Sequence, residues 1–245
     1  MSATATYAAI RGLGAFVLTT GEVAARRRVS VSSASRSLRR LAAQGLISRV
    51  RQGLWTLTSD AVDPRRLAPE LTRPFPAYVS FQSALAAHGA LDQIPREITI
   101  ASLAKPRRVR TDVASYVIHR LPPELFGGFD ERDGVPLAGI EKALFDYFYV
   151  AVASGHPSRR LPELDLPEGF SRKRLDRWVA RIRSARLRTL VASALERALE
   201  HADYADPKRP MAATAATRVR GAQMDVTDAR RRKARRRRVR QRQTA

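Results

Sequence analysis

Residues 29–47 read Val29-Ser30-Val31-Ser32-Ser33-Ala34-Ser35-Arg36-Ser37-Leu38-Arg39-Arg40-Leu41-Ala42-Ala43-Gln44-Gly45-Leu46-Ile47, and the periodicity of this stretch decides the fold. Ala34, Leu38, Leu41 and Ala42 recur at helical intervals, so they face a core and turn Ser33, Arg36, Ser37, Arg39 and Arg40 toward solvent. A helix from Ser32 to Ala43 is predicted. Upstream, Thr19-Thr20-Gly21-Glu22-Val23-Ala24-Ala25 predicts a short helix behind a threonine cap, with Val29 and Ser30 as the turn between the two helices. After Gly45 the hydrophobic period drops from about 3.6 to about 2. Ile47 to Val50 and Leu54 to Leu57 are then strands of a two-stranded ribbon tipped by Arg51-Gln52-Gly53. Helix, helix, helix, ribbon over residues 5–58 is the order of a winged helix-turn-helix.

A helix of this kind suits the major groove of duplex DNA. Short serines near its start permit close approach, and arginine donates two hydrogen bonds to a guanine edge or binds phosphate. The candidate DNA-binding residues are Thr20, Ser32, Ser33, Arg36, Ser37, Arg39, Arg40, Arg49, Arg51 and Gln52. Arg36 is expected to read a base, Arg40 to hold a phosphate, and Arg49 and Arg51 to flank the duplex from the wing. The plain alternative is a solvated helix face.

The charge balance agrees with a polyanionic partner. The 245-residue chain carries a formal net charge of +22, a field that attracts polyanions and raises encounter rates. From Arg218 to Ala245 there are 12 basic residues against Asp225 and Asp228, so this end carries +10 and the rest +12. The run from Arg230 to Arg242 repels itself and cannot bury a core, so residues 206–245 are expected to be a disordered Arg-rich tail that binds phosphates without reading sequence.

Other function classes lose ground on composition. The chain has no cysteine, and His88, His119, His156 and His201 lie far apart without ligand-like spacing. No metal, cofactor or catalytic residue is expected. No stretch approaches the roughly 18 uncharged apolar residues of a membrane span, so a cytoplasmic protein without a membrane partner is predicted.

Prolines at 64, 69, 74 and 76 deny backbone donors and disfavour helix before each ring, which places a linker at residues 61–76 between a winged helix at 1–60 and a second domain at 77–205. The second domain reads as mixed α/β, making the whole chain α+β. Ser80 to Leu91 is a helix with Phe81, Ala84, Leu85 and His88 on one face, and Glu97 to Leu103 and Val113 to His119 are strands. Ile140 to Val152 is a core helix presenting Ala143, Leu144, Tyr147, Phe148 and Ala151, with Glu141 in its first turn. Ser171 caps a helix to about Arg183, and Ala185 to Ala202 forms another.

Several short motifs now point one way. They are Leu18-Thr19-Thr20-Gly21-Glu22-Val23-Ala24, the helix through Gly45-Leu46-Ile47, Gly53-Leu54-Trp55, Ile94-Pro95-Arg96-Glu97-Ile98, His119-Arg120-Leu121-Pro122, Phe126-Gly127-Gly128 and Glu141-Lys142-Ala143-Leu144-Phe145-Asp146. With them the chain resembles the AbiEi family, antitoxins of type IV abortive-infection toxin-antitoxin systems, over roughly residues 10–200. Gly139-Ile140 departs from the threonine and proline that related sequences often carry before Glu141, which weakens the helix start by about a kcal/mol or less. The resemblance implies a winged helix that represses the antitoxin-toxin operon by binding promoter repeats, with paired copies of the reader. It also implies a C-terminal domain that counters a nucleotidyltransferase-like toxin without a stable complex. A stand-alone regulator whose second domain senses a small molecule is the rival reading.

A nuclease is disfavoured. Glu141 and Asp146 are five residues apart, about 140° around a helix, so they do not share one metal site. They read, with Lys142, as a helix-start carboxylate plus solvent charges. Asp130, Glu131 and Asp133 read as a turn, and His119 and the aromatic group Phe145, Tyr147, Phe148 and Tyr149 as structural. Arg107, Arg108 and Arg110, or Arg181, Arg183, Arg186 and Arg188, could extend a DNA footprint.

Overall fold

The computed structural model describes residues 3–12, 16–57, 63–158, 161 and 164–204. The Arg-rich tail expected at 206–245 lies outside the described residues. The fold is mixed α+β.

The first elements are α1 (Ala3–Arg11), β1 (Val17–Thr19), α2 (Thr20–Arg27), α3 (Val31–Ala43), β2 (Ile47–Arg51) and β3 (Leu54–Leu57). Local chemistry sets each boundary. Thr19 accepts the Glu22 N–H at 3.1 Å while the Glu22 carboxylate accepts the Thr19 N–H at 2.6 Å, a reciprocal capping box that starts α2. Ser30 Oγ accepts the Ser33 N–H at 3.2 Å and starts α3 one residue earlier than the periodicity suggested. Gly45, at φ 73°, closes α3 by letting the Leu46 N–H reach the Leu41 carbonyl at 3.1 Å. Ile10, Leu18, Val23, Leu38, Leu41, Ile47 and Trp55 form the core beneath these helices.

The ribbon has a third strand. β1 pairs antiparallel with β3, giving the order β1-β3-β2 where two strands were predicted. Residues 16–19 are too short for alternation to register, and β3 supplies their hydrogen bonds. A bulge between Arg49 and Arg51 leaves Val50 between their two register partners on β3.

Next come a 3-10 helix (Pro64–Leu67), α4 (Ala68–Thr72), β4 (Ala77–Val79), α5 (Phe81–Ala87), β5 (Ile98–Ser102), β6 (Arg107–Arg110) and β7 (Ser115–Arg120). A second 3-10 turn (Pro123–Leu125), β8 (Phe129–Arg132), β9 (Val135–Ala138), α6 (Ile140–Ala153), β10 (Asp165–Leu166), α7 (Arg172–Ala180), α8 (Ala185–Glu200) and β11 (Asp203–Tyr204) complete the described chain. One six-stranded sheet runs β6-β7-β5-β4-β9-β8. Its β7-β5 and β4-β9 pairs are parallel and the other three antiparallel. Helix α6, with Ala143, Leu144 and Phe145 fully buried, packs among α5, α7 and α8. Asp133 and Gly134 make the tight turn between β8 and β9, both at positive φ.

The linker reading needs correction. Pro64–Thr72 is helical, Leu67 and Ala68 are fully buried in the second core, and the Pro64 carbonyl accepts the Tyr116 hydroxyl at 2.9 Å. Pro64 and Pro69 sit in first turns, where the missing N–H has no helical partner to lose, while Pro74 and Pro76 lie between α4 and β4. The ribbon also shares that core: Val50 and Leu54 belong to it, and the Arg66 guanidinium lies 4.7 Å over the Phe16 ring. The described residues from 3 to 204 form one compact unit. Among the described residues, no helix is long and apolar enough to cross a membrane.

Candidate nucleic-acid interface

Helix α3 presents adjoining rows at the i, i+4 spacing that aligns side chains along one face. Ser32, Arg36 and Arg40 form one exposed row. Val31, Ser35 and Arg39 form the next, with Ser35 and Arg39 bordering the hairpin. Ser33 and Ser37 are half-buried at the edge of the helix that holds Ala34, Leu38 and Leu41 in the core. Ser32 Oγ is 3.0 Å from Ser30 Oγ, which keeps it beside the cap.

Between α3 and the hairpin lies a cleft of about 310 Å³ lined by Ser35, Arg39, Arg49, Gln52, Gly53 and Trp55. The hairpin is fastened on the far side, where the Gly53 carbonyl accepts the Thr20 N–H at 2.9 Å and Trp55 Nε1 donates to the Thr20 hydroxyl at 3.0 Å. Gly53 takes φ 76° at the tip, a conformation that favours glycine. Arg39 on α3 and Arg49 on β2 line this one concavity from two elements.

Electrostatics leaves these arginines available. Residues 1–57 contain nine arginines and one acid, Glu22, whose carboxylate is used in the capping box. Among the described residues, no ion pair involves Arg36, Arg39, Arg40, Arg49 or Arg51. A cluster of cations without internal acids repels itself, a cost offset when a polyanion binds.

The structure brings Ser32, Arg36, Arg39, Arg40, Arg49, Arg51 and Gln52 to the surface of α3 and the hairpin, as expected. Ser33 and Ser37, also expected to face solvent, are half-buried, and the largest departure is Thr20. Its side chain is 7% exposed and its hydroxyl is held by Trp55, so it fastens the hairpin to α2 and does not face a ligand. The partner that holds it lies 35 residues away and carries no local signal. Val31 and Ser35 are the residues that periodicity missed. Val31 is 60% exposed at the first turn of α3, an apolar side chain beside Ser32 and Arg36. Its position one residue ahead of the expected helix start hid it.

Motifs of the second domain meet at a buried ion pair. Lys142 Nζ pairs with Asp146 Oδ1, and both side chains are essentially inaccessible, at 2% and 0% exposure. Asp146 Oδ2 also accepts the Ser80 hydroxyl at 2.7 Å and the Tyr78 hydroxyl at 3.0 Å, while Lys142 Nζ donates to the Leu125 carbonyl at 2.8 Å. The ammonium lies 4.4 Å over the Trp178 ring. Burial pushes the Asp146 carboxyl up and the Lys142 amine down, against the attraction between them. The reading of Lys142 and Asp146 as solvent charges is thus overturned, because i, i+4 spacing turns both under the sheet. Glu141 points elsewhere, accepting the Ser171 N–H at 2.7 Å and the Arg174 guanidinium at 2.8 Å.

The Phe126-Gly127-Gly128 motif serves this pair. A Cβ at Gly128 would collide with the Trp178 ring and come within 3.1 Å of Lys142 Cγ, so only glycine lets the chain cross there. Among the described residues, no group of three or more His, Asp or Glu side chains could hold a metal ion. The His119 ring packs 4.6 Å from Phe81, and Phe145, Tyr147 and Phe148 are buried.

The outlying arginines divide. Arg107 donates to the Leu71 carbonyl at 2.6 Å, Arg108 lies 3.6 Å from Glu97, and Arg110 is exposed. Arg181 stacks 4.2 Å from Trp178, Arg183 lies 3.5 Å from Glu124, Arg188 donates to the Ile182 carbonyl at 3.0 Å, and Arg186 is exposed. No protein-family model matches the chain, and no curated protein matches it significantly.

Proposed function

We propose that this protein is a DNA-binding transcriptional repressor whose winged helix-turn-helix reads duplex DNA with α3 and clamps the flanking backbone with the β2–β3 hairpin. The observation that carries the reading is the exposed arginine row of α3, Arg36, Arg39 and Arg40, with Arg39 and Arg49 of the hairpin lining one cleft and none of the four in an ion pair among the described residues. Arg36 and Val31 lie toward the first turns of the helix, where a recognition helix meets base edges, and Val31 has the chemistry to contact a thymine methyl. Arg40 and Arg49 suit phosphates. The element order, the capping box of α2 and the Ser30 cap of α3 support the assignment.

The resemblance to the AbiEi family extends the proposal to a type IV antitoxin that represses its own operon and counters a nucleotidyltransferase-like toxin. The Phe126-Gly127-Gly128 and Glu141-to-Asp146 motifs that carry the resemblance meet around one buried ion pair, which gives their combination a structural role. Gel shifts with the DNA upstream of the gene test the repressor arm. Preference for that DNA over random duplex at physiological salt is the expected result; equal binding refutes it. Co-expression with the neighbouring reading frame tests the antitoxin arm, which falls if the neighbour is harmless alone or stays toxic with this chain present.

A further inference from the structure

We infer that the β6–β7 hairpin of the second domain is a phosphate-contacting extension of the α3 and β2–β3 surface, with Arg110 lying along the same duplex as Arg49 and Arg51. The inference rests on the DNA-binding reading above and deepens it.

The turn of this hairpin docks on the wing. The Asp112 N–H donates to the Arg49 carbonyl at 3.4 Å, so the turn abuts the strand that carries the wing arginines. It is also rigid. Thr111 Oγ1 donates to the Ala114 carbonyl at 2.9 Å and accepts the N–H groups of Val113 and Ala114 at 3.1 and 3.0 Å. Val113 and Ala114 pack against the second core beneath it.

Strand alternation then decides which arginine is available. Arg107 and Val109 share one face of β6, where Arg107 is tied to the Leu71 carbonyl and Val109 packs on the core. Arg110 stands on the other face, exposed, and none of the ion pairs among the described residues involves it. Duplex DNA carries about one negative charge per 1.7 Å of axis, so a cation held next to a groove-bound wing meets a phosphate without any need for base register. A mount that is already rigid spares the ordering cost of a flexible side arm.

The test compares the full chain with Arg110→Ala, Arg110→Lys and Arg186→Ala on a random-sequence 30-base-pair duplex and on the upstream DNA, across a salt series. Arg186→Ala removes the same charge from an exposed site on α8. Arg110→Ala is expected to weaken both duplexes about fivefold and to lower the slope of log affinity against log salt by about 0.9, with Arg110→Lys close to wild type. Arg186→Ala changing affinity as much as Arg110→Ala would reduce the effect to net charge and overturn the inference. An unchanged slope in Arg110→Ala, with wild-type preference for upstream DNA intact, overturns this inference and leaves the repressor reading standing. Loss of that preference in the wild type overturns both.

Discussion

Replacing Asp146 by alanine should strip much of the stability of the compact unit without touching a single candidate DNA contact. The substitution strips Lys142 of its counter-charge while the ammonium stays at 2% exposure, and it leaves the hydroxyls of Tyr78 and Ser80 without the oxygen they share. The Leu125 carbonyl and the Trp178 face are what remain around Nζ. Removing one partner of a buried pair costs about 3 to 5 kcal/mol, which for a unit of this size lowers the melting temperature by roughly 6 to 20 °C. Adding Lys142→Met should recover part of the loss, since it removes the stranded charge and keeps a flexible apolar stem in its place. A further signature follows from Lys142, whose amine burial already holds below 10.5. In Asp146→Ala the unfolded chain binds the proton more readily than the native one, so stability should rise as pH climbs toward that value. Thermal and urea melts of the wild type and the two variants provide the measurement. A single-variant loss below about 1 kcal/mol, or no recovery in the double variant, would refute the buried-pair account.

Arg36→Ala should cost about 1 to 3 kcal/mol on upstream DNA and relax base choice, read by competition gel shifts; uniform weakening on all DNA would make it a phosphate contact instead. Val31→Ala should weaken binding to upstream DNA, and replacing thymines one at a time by uracil should reproduce that loss at a single position; insensitivity at every position would remove the methyl contact. His88 gives a pH prediction with a definite sign. Its Nε2 is 2.7 Å from the Ala138 carbonyl, its Nδ1 is 3.4 Å from Arg132 Nη1, and burial holds its pKa below 6.5. The neutral ring is favoured by the fold, so the stability it confers is present above 6.5 and drains away as pH falls below it. The gap in melting temperature between wild type and His88→Gln should narrow on going from about pH 7.5 to about pH 5.5; a constant gap would contradict the assigned environment.

The division between what was legible in one dimension and what was not follows from the range of the forces. Caps, helical periodicity and glycine turns act over four or five residues, so α2, α3 and the hairpin could be read from Thr19 to Leu57 directly, with Thr19 marking the start of α2 and Ser30, read as turn, proving to cap α3. The exposed row of Ser32, Arg36 and Arg40 came with them, because burying Leu38 and Leu41 leaves that face no other direction. Long-range partners decided the rest. Thr20 looked exposed until Trp55, 35 residues on, claimed its hydroxyl. Asp146 looked solvated until Ser80 and Tyr78, 66 and 68 residues away, closed around it. The prolines between 64 and 76 suggested a free linker, yet Leu67 and Ala68 fill a core that exists only once β4, β7 and β9 are assembled. Local chemistry determined where α2 and α3 form and where the arginines of α3 point; only the assembled sheet and its packed helices decided that residues 64–72 are helical and buried, which polar groups are spent inside the protein and which are left for a ligand, since burial is a property of distant segments meeting.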